Sequence, residues 1–282
     1  MQKRTFDPSA IKALAIDLDG TVLAPGAVLT ERTIRAINAC REKGLAVIIA
    51  TGRAVEAGER FRIPLGAEGP MVYFNGAVVA DMPGGKILSA TLLDLEAVNF
   101  CIDLSRSTGV YYQVFLPGTT AIPRQRLIAE RQSAETEMYF KHTGIQAEIG
   151  DLKQALAAPG LTGCIKSMFL AEPEVQDAIR PKIEERFGKS LYIARTLRTF
   201  LEIMNPNASK GEGLKIALQR RGLEPAQVIA FGDEENDLPM FGATGFAIAP
   251  ANAKDSVKAE ADLIIGPNTE DGVAAFLEET FL

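Results

Sequence analysis

The residues best suited to chemistry sit in one short stretch, Ile16-Asp17-Leu18-Asp19-Gly20-Thr21. It follows an apolar run from Ala13, which reads as a parallel strand buried on both faces. Two carboxylates then stand two positions apart. On an extended chain such positions point the same way, so Asp17 and Asp19 are expected to converge on one point. Like charges that close are costly unless a cation or a shared proton relieves them. One carboxylate can serve as a nucleophile and the other as general acid and base. Gly20 lets the backbone turn, and Thr21 adds a hydroxyl. Alone, Asp19-Gly20 also reads as an ordinary turn dipeptide.

Three further stretches carry complementary groups. An apolar run, Leu45 to Ala50, ends in Thr51-Gly52-Arg53. The segment Asn205 to Gly211 is a turn into a helix, with Ser209 as N-cap and Lys210 just inside. Another apolar strand, Val228 to Phe231, ends in Gly232-Asp233-Glu234-Glu235-Asn236-Asp237. The Thr51 hydroxyl, the Gly52 amide and Lys210 can hold phosphate oxygens. Asp233 and Asp237, with Asp17, can bind a hard divalent cation through oxygen. With no His or Cys cluster in the sequence, Mg²⁺ fits better than zinc. Asn75-Gly76, after the apolar Met71 to Phe74, reads as a tight hairpin turn that brings an amide side chain to the same end of the sheet. The set supplies the parts for phosphoryl transfer. His142, the one histidine, is expected at the surface, and Arg53 and Glu234 as exposed polar residues outside the site.

These groups need a scaffold that gathers strand ends. Thr30 is a plausible N-cap, followed by Ile34, Ile37 and Cys40 at helical spacing and Gly44 at the helix end. Strand, helix and strand in that rhythm imply a right-handed βαβ unit, and open α/β sheets bind ligands beyond the carboxyl ends of their strands. The rhythm breaks at the turn cluster Asp81-Met82-Pro83-Gly84-Gly85. Beyond it lie a helical face (Leu95, Val98, Cys101, Ile102), a strand over 110–116, a polar helix over 126–141, a strand over 165–171 and a helix over 173–187. Strands are expected at 191–194 and 200–204. Residues 82–190 are therefore expected to form an inserted α+β domain, with 1–81 and 191–282 forming the core. The fold class is α/β, a Rossmann-like doubly wound parallel sheet with this insertion.

Composition narrows the choices. With 47% apolar residues over 282 positions the chain can bury a large core. A net charge of -6 leaves no basic footprint for nucleic acid. No apolar run is long enough to span a bilayer, and the first residues lack the apolar core of a signal peptide. Cys40, Cys101 and Cys164 are scattered, which favours small core residues in a reducing cytoplasm over a disulfide framework. No obligate protein partner is evident.

In order along the chain, Asp17-Leu18-Asp19-Gly20-Thr21, Thr51-Gly52-Arg53, Lys210 and Gly232 to Met240 resemble the motifs of the haloacid dehalogenase superfamily. Asn75-Gly76-Ala77, with an insertion before the lysine, resembles its Cof-type sugar-phosphatase branch. The resemblance implies a Rossmann-like core with a large α/β cap that sets specificity, and Mg²⁺-dependent hydrolysis through an aspartyl phosphate. It implies that Asp17 is nucleophile and metal ligand. Asp19 would be acid and base, with its backbone carbonyl on the metal. Thr51 and Lys210 would bind the phosphoryl group, Asp233 and Asp237 would belong to the metal site, and Asn236 would lie near phosphate. A small phosphorylated metabolite, foremost a sugar phosphate, is the expected substrate, with Tyr111, Tyr112 and Gln113 as candidate sugar contacts. Alternatives are a phosphomutase of the same superfamily, a phospho-receiver domain and a non-catalytic regulator that binds a phospho-ligand. The second acid at Asp19 and the size of the insertion argue against a receiver domain, and the complete acidic set argues against an idle protein.

Overall fold

The protein is described by a computed structural model covering residues 4–118 and 124–282. It divides into two compact units, one running to Ser89 and resuming at Ala208–Leu282, the other Ala90–Asn207. Among the described residues no helix is long and apolar enough to cross a membrane.

The first unit opens with β1 (Ala13–Ile16), α1 (Glu31–Glu42), β2 (Ala46–Ile49) and α2 (Val55–Arg62). It continues with β3 (Gly69–Tyr73), β4 (Val78–Met82) and β5 (Lys86–Ala90), the last of which leads into the second unit. There follow β6 (Leu93–Asp94), α3 (Leu95–Thr108), β7 (Tyr112–Leu116), β8 (Arg126–Ala129), α4 (Ala134–Thr143) and β9 (Glu148–Ile149). Then come α5 (Leu152–Leu156), β10 (Gly163–Cys164), β11 (Lys166–Leu170), α6 (Pro173–Phe187), β12 (Tyr192–Leu197) and β13 (Phe200–Met204). The chain returns to the first unit with α7 (Lys210–Arg221), β14 (Val228–Phe231), α8 (Leu238–Gly242) and β15 (Phe246–Pro250). It ends with α9 (Asp255–Glu260), β16 (Leu263–Ile265) and α10 (Gly272–Phe281).

The first unit is built on a five-stranded sheet in the order β16-β15-β14-β1-β2, parallel throughout. β1 lies inside it, and all four of its residues are fully buried. That is why its sequence is a continuous apolar run rather than an alternating one. Ala13 and Ala15 face α7 through Leu214 and Ala217. The opposite face carries Phe231, whose ring lies 5.8 Å from that of Phe276 on α10. Helices on both faces make the sheet doubly wound, as the strand–helix rhythm predicts. The apolar run at 71–74 does not join this sheet as a full strand. β3 pairs antiparallel with β4, and one bridge between Ala50 and Val72 ties it to the end of β2.

The second unit has a six-stranded sheet, β12-β13-β11-β7-β8-β9, antiparallel except for β8 with β9. Val98, Cys101 and Ile102 of α3 and Ile179 and Ile183 of α6 pack with Tyr112, Val114 and Phe169 on one face. On the other, Tyr139 of α4 meets Phe115 at 6.2 Å and Phe200 at 5.6 Å between ring centroids. Two sequence expectations need correction here. Residues 126–129, expected as the start of a polar helix, form β8, because backbone pairing with β7 overrides a weak helical pattern; the helix begins only at Ala134. Residues 191–207, assigned to the core, belong to the second unit, because β13 pairs with β11 and carries β12 with it, and residues 82–89, assigned to the insertion, belong to the first, where β5 extends the sheet of β3 and β4.

Candidate active site

The carboxyl ends of β1, β2 and β14 and the N-terminus of α7 bring the motif residues together. β1 ends at Ile16, and the Asp17 amide continues the ladder by donating to the Phe231 carbonyl at 3.0 Å. Its carboxylate is buried. Ser209 caps α7 by accepting from the Glu212 amide, which fixes the helix start and sets Lys210 at its first position. Gly76, with φ +94, lets the β3–β4 turn pass so close to this start that a Cβ there would lie 1.9 Å from the Ser209 carbonyl oxygen. Lys210 is 1% exposed, so it is no surface lysine. Its ammonium donates to Asp17 Oδ1 and to Asp237 Oδ1, each at 2.6 Å.

Asp237 is fully buried, and its second oxygen accepts from the amides of Asp233 and Glu234 at 2.9 and 3.0 Å. Asp233 accepts from the Thr21 hydroxyl at 2.7 Å, and the same hydroxyl lies 3.3 Å from Asp17 Oδ2. Gly20 has φ +81, and a Cβ there would strike Asp233 Oδ2 at 2.1 Å, so only glycine closes the loop against this carboxylate. Thr51 is buried, and the Asn75 amide donates to its carbonyl at 3.0 Å. Asn236 Nδ2 donates to Asn75 Oδ1 at 3.0 Å, while Asn236 Oδ1 is buried without a partner among the described residues. Gly52 backs onto the same Asn75 side chain.

One ammonium thus faces three carboxylates. Burial, above all, pushes Asp17 well above the usual carboxylate range; Lys210 opposes the shift, and Asp237 and Asp233 add to it. Burial also pushes Asp233 up to about 6, against the Thr21 hydrogen bond. Burial alone would lower Lys210, but Asp17 and Asp237 outweigh it and hold the ammonium charged. One ligand oxygen each from Asp17, Asp233 and Asp237 lie within 4.8 Å of one another. An all-oxygen set short of positive charge suits a hard divalent cation such as Mg²⁺.

Asp19 departs from expectation. Alternation cannot aim it beside Asp17, because the strand stops at Ile16 and the chain turns, with the Thr21 amide donating to the Leu18 carbonyl. Its side chain is 53% exposed and pairs with Arg53, through Nε at 2.7 Å and Nη2 at 2.6 Å. Sequence reasoning set Arg53 aside; only its place beside Thr51-Gly52 pointed to the site. Two asparagines were also missed, and nothing local marks them: Asn252 donates to the Gly20 carbonyl and Asn268 to the Leu23 carbonyl, bracing the loop after β1. The Glu234 side chain is half exposed and pairs with Lys254 at 2.8 Å, while its backbone amide donates to Asp237. His142 is exposed, edge-on to Phe200.

Comparison with known proteins identifies the family. The sequence profile of one family, described as haloacid dehalogenase-like hydrolase, matches residues 14–277. The chain is 29% identical over 274 residues to the 5-amino-6-(5-phospho-D-ribitylamino)uracil phosphatase YitU of Bacillus subtilis, covering 95% of this chain and 97% of that one. It is 29% identical over 273 residues to the pyridoxal phosphate phosphatase YbhA of Escherichia coli, covering 94% and 97%. A solved structure from Thermotoga maritima superposes with a TM-score of 0.84 at 25% identity, covering 95% and 97%.

Proposed function

The chain belongs to the haloacid dehalogenase-like hydrolases, and from that premise we propose that it is a Mg²⁺-dependent phosphatase of small phosphorylated metabolites, sugar phosphates foremost, acting through an aspartyl phosphate on Asp17. The observation that carries this reading is the buried Asp17 carboxylate held by Lys210 beside two further carboxylates at the strand ends. A carboxylate at a strand end backed by fixed positive charge is a nucleophile aimed at an anionic electrophile.

Asp17 attacks phosphorus, and the bond to the leaving alkoxide breaks in line. Asp19 gives that oxygen a proton. It then takes one from a water that attacks the aspartyl phosphate, releasing inorganic phosphate and restoring Asp17. Lys210 and the Thr51 hydroxyl bind the phosphoryl oxygens, with the Gly52 amide, Asn75 and Asn236 beside them. Asp17, Asp233 and Asp237, with the Asp19 backbone carbonyl, would hold Mg²⁺. When bound, the ion supplies the positive charge that lets two anions approach.

We assign substrate selection to the inserted unit, Ala90–Asn207. Of its three candidate sugar contacts, Tyr112 is committed to the helix-facing core, 4.6 Å from Phe169. Tyr111 and Gln113 share the other face, where both are buried as well and the tyrosine hydroxyl donates to the Gln113 side-chain carbonyl oxygen at 2.9 Å. The small phosphate esters named for the two relatives support a small-metabolite substrate. Three free buried cysteines support a cytoplasmic setting. A screen of phosphorylated metabolites for phosphate release, with and without Mg²⁺, tests the reading. Isomerisation of a sugar phosphate without net release would replace it with a phosphomutase.

A further inference from the structure

Asp19 and Arg53 are 34 positions apart and meet as a fork, one nitrogen to each carboxylate oxygen. Both oxygens are engaged, so while the pair holds, the carboxylate is oriented toward the guanidinium rather than free to turn to a leaving group. The Arg53 backbone is pinned: its amide donates to Thr51 Oγ1 at 3.1 Å, and its carbonyl accepts from the Phe74 amide at 3.0 Å. Only its side chain is at liberty to change partner. Its guanidinium carbon rests 4.8 Å from the Phe61 ring centroid, and that of Arg60 rests 4.5 Å from the same centroid. Arg60 has no ion-pair partner among the described residues, although Asp19 and Arg53 both act on it through charge. Two guanidiniums therefore share one ring while only Arg53 pairs with Asp19, so the corner carries more positive than negative charge.

We propose that Arg53 is a substrate-operated latch on Asp19. It holds the carboxylate outside the Asp17–Asp233–Asp237 cluster while the site is empty, and gives it up when a phosphoryl oxygen takes the guanidinium. Arg53 is thus a positioning residue, and the inference rests on the reading of Asp19 as acid and base. The exchange is favourable in principle, because a guanidinium fork matches a phosphate at least as well as a carboxylate and a dianion attracts it more strongly. Release costs Asp19 little, since its side chain is already 53% exposed and water replaces the lost bonds. A latch of this kind keeps the acid out of the empty site and couples its arrival to substrate.

The test is a double-mutant cycle on equilibrium binding. Inorganic phosphate is titrated calorimetrically, with Mg²⁺ present, into the wild-type protein, Asp19→Asn, Arg53→Met and the double variant. If Asp19 and phosphate compete for Arg53, Asp19→Asn tightens phosphate by about 10-fold when Arg53 is present and by much less when it is Met, within the usual range of couplings between touching residues. Arg53→Lys keeps the charge and the apolar stem over Phe61 but cannot form the fork, and it should retain part of the coupling. It also serves if Arg53→Met folds poorly. Equal effects of Asp19→Asn in both backgrounds would overturn the latch while leaving the phosphatase reading intact. No phosphate binding by the wild-type protein would overturn both.

Discussion

Two buried lysines, one in each unit, make ion pairs that look alike and stand in different surroundings. Lys210, in the first unit, lies 2.6 Å from Asp17 and from Asp237. Lys166, in the second, lies 2.6 Å from Glu202, with both side chains less than a tenth exposed. By distance and burial the pairs are alike, and a buried ion pair alone says little about role. What differs is the surrounding charge and the place in the fold. Lys210 is outnumbered by carboxylates whose protonation burial and mutual repulsion have shifted, at the ends of parallel strands. Lys166 opens β11 and Glu202 lies midway along β13, neighbouring antiparallel strands of one sheet. Unbalanced charge, rather than charge as such, distinguishes the candidate site.

The largest expected effect comes from the proposed nucleophile, Asp17. Asp17→Asn keeps an acceptor for Lys210 but should lower kcat by about 10⁴-fold or more in phosphate-release assays, as loss of a nucleophile does elsewhere. Full activity would end the assignment. Asp233→Ala should weaken Mg²⁺ binding by more than the roughly 10–100-fold that losing an outer partner of a metal ligand costs, read by titration of the metal. Undiminished turnover in excess chelator would break the metal reading.

The lysine comparison can be tested directly. Lys210→Met should cut kcat by about 10²–10³-fold, the scale of losing one donor to a developing oxyanion. Lys166→Met should leave kcat nearly unchanged but cost about 3–5 kcal/mol of stability by stranding Glu202, most of it recovered by adding Glu202→Leu. Loss of activity in Lys166→Met at full fold would move that pair to the functional side.

A smaller effect concerns pH. The Asp233 carboxyl binds its proton more tightly folded, at about 6, than its ordinary value of 3.8. Its contribution to stability is therefore complete below about 4 and lost as pH rises through about 6. In metal-free protein this contribution to the melting temperature should fall across that window. The increment from Mg²⁺ should grow across it, because the ion binds the deprotonated form. A Mg²⁺ increment flat from pH 4 to 7 would contradict this. Smallest of all, His142→Ala should change neither activity nor melting temperature measurably, since surface changes rarely exceed about 0.5 kcal/mol.

The parallel strands and the strand ends were legible because burial on both faces forces continuous apolar runs, and the acids stand directly after them. Ser209 and Thr30 were legible as caps because capping is local: each accepts from an amide three residues on. Pairings between distant segments were not. β12 and β13 look the same in sequence whichever sheet they join, and β8 has only four residues against β7 to declare it a strand. Lys210 could be placed by its neighbours in sequence, but not its burial. The Arg53 fork to Asp19 spans two loops, so neither residue's surroundings announce the other.

The order of strands in the parallel sheet also says something about how the chain is born. Ala13 sits beside Ala46 on one side and beside Val228 on the other. The ribosome makes those partners at very different times. The second unit is one uninterrupted stretch, so its contacts are available as soon as it has emerged. The first must keep β1 and β2 waiting until β14 arrives, a long closure of the kind that slows folding. Asp17 and Lys210 consequently meet Asp233 only once β14 has been made, and a chain cut short before β14 carries the proposed nucleophile without the complete acidic cluster.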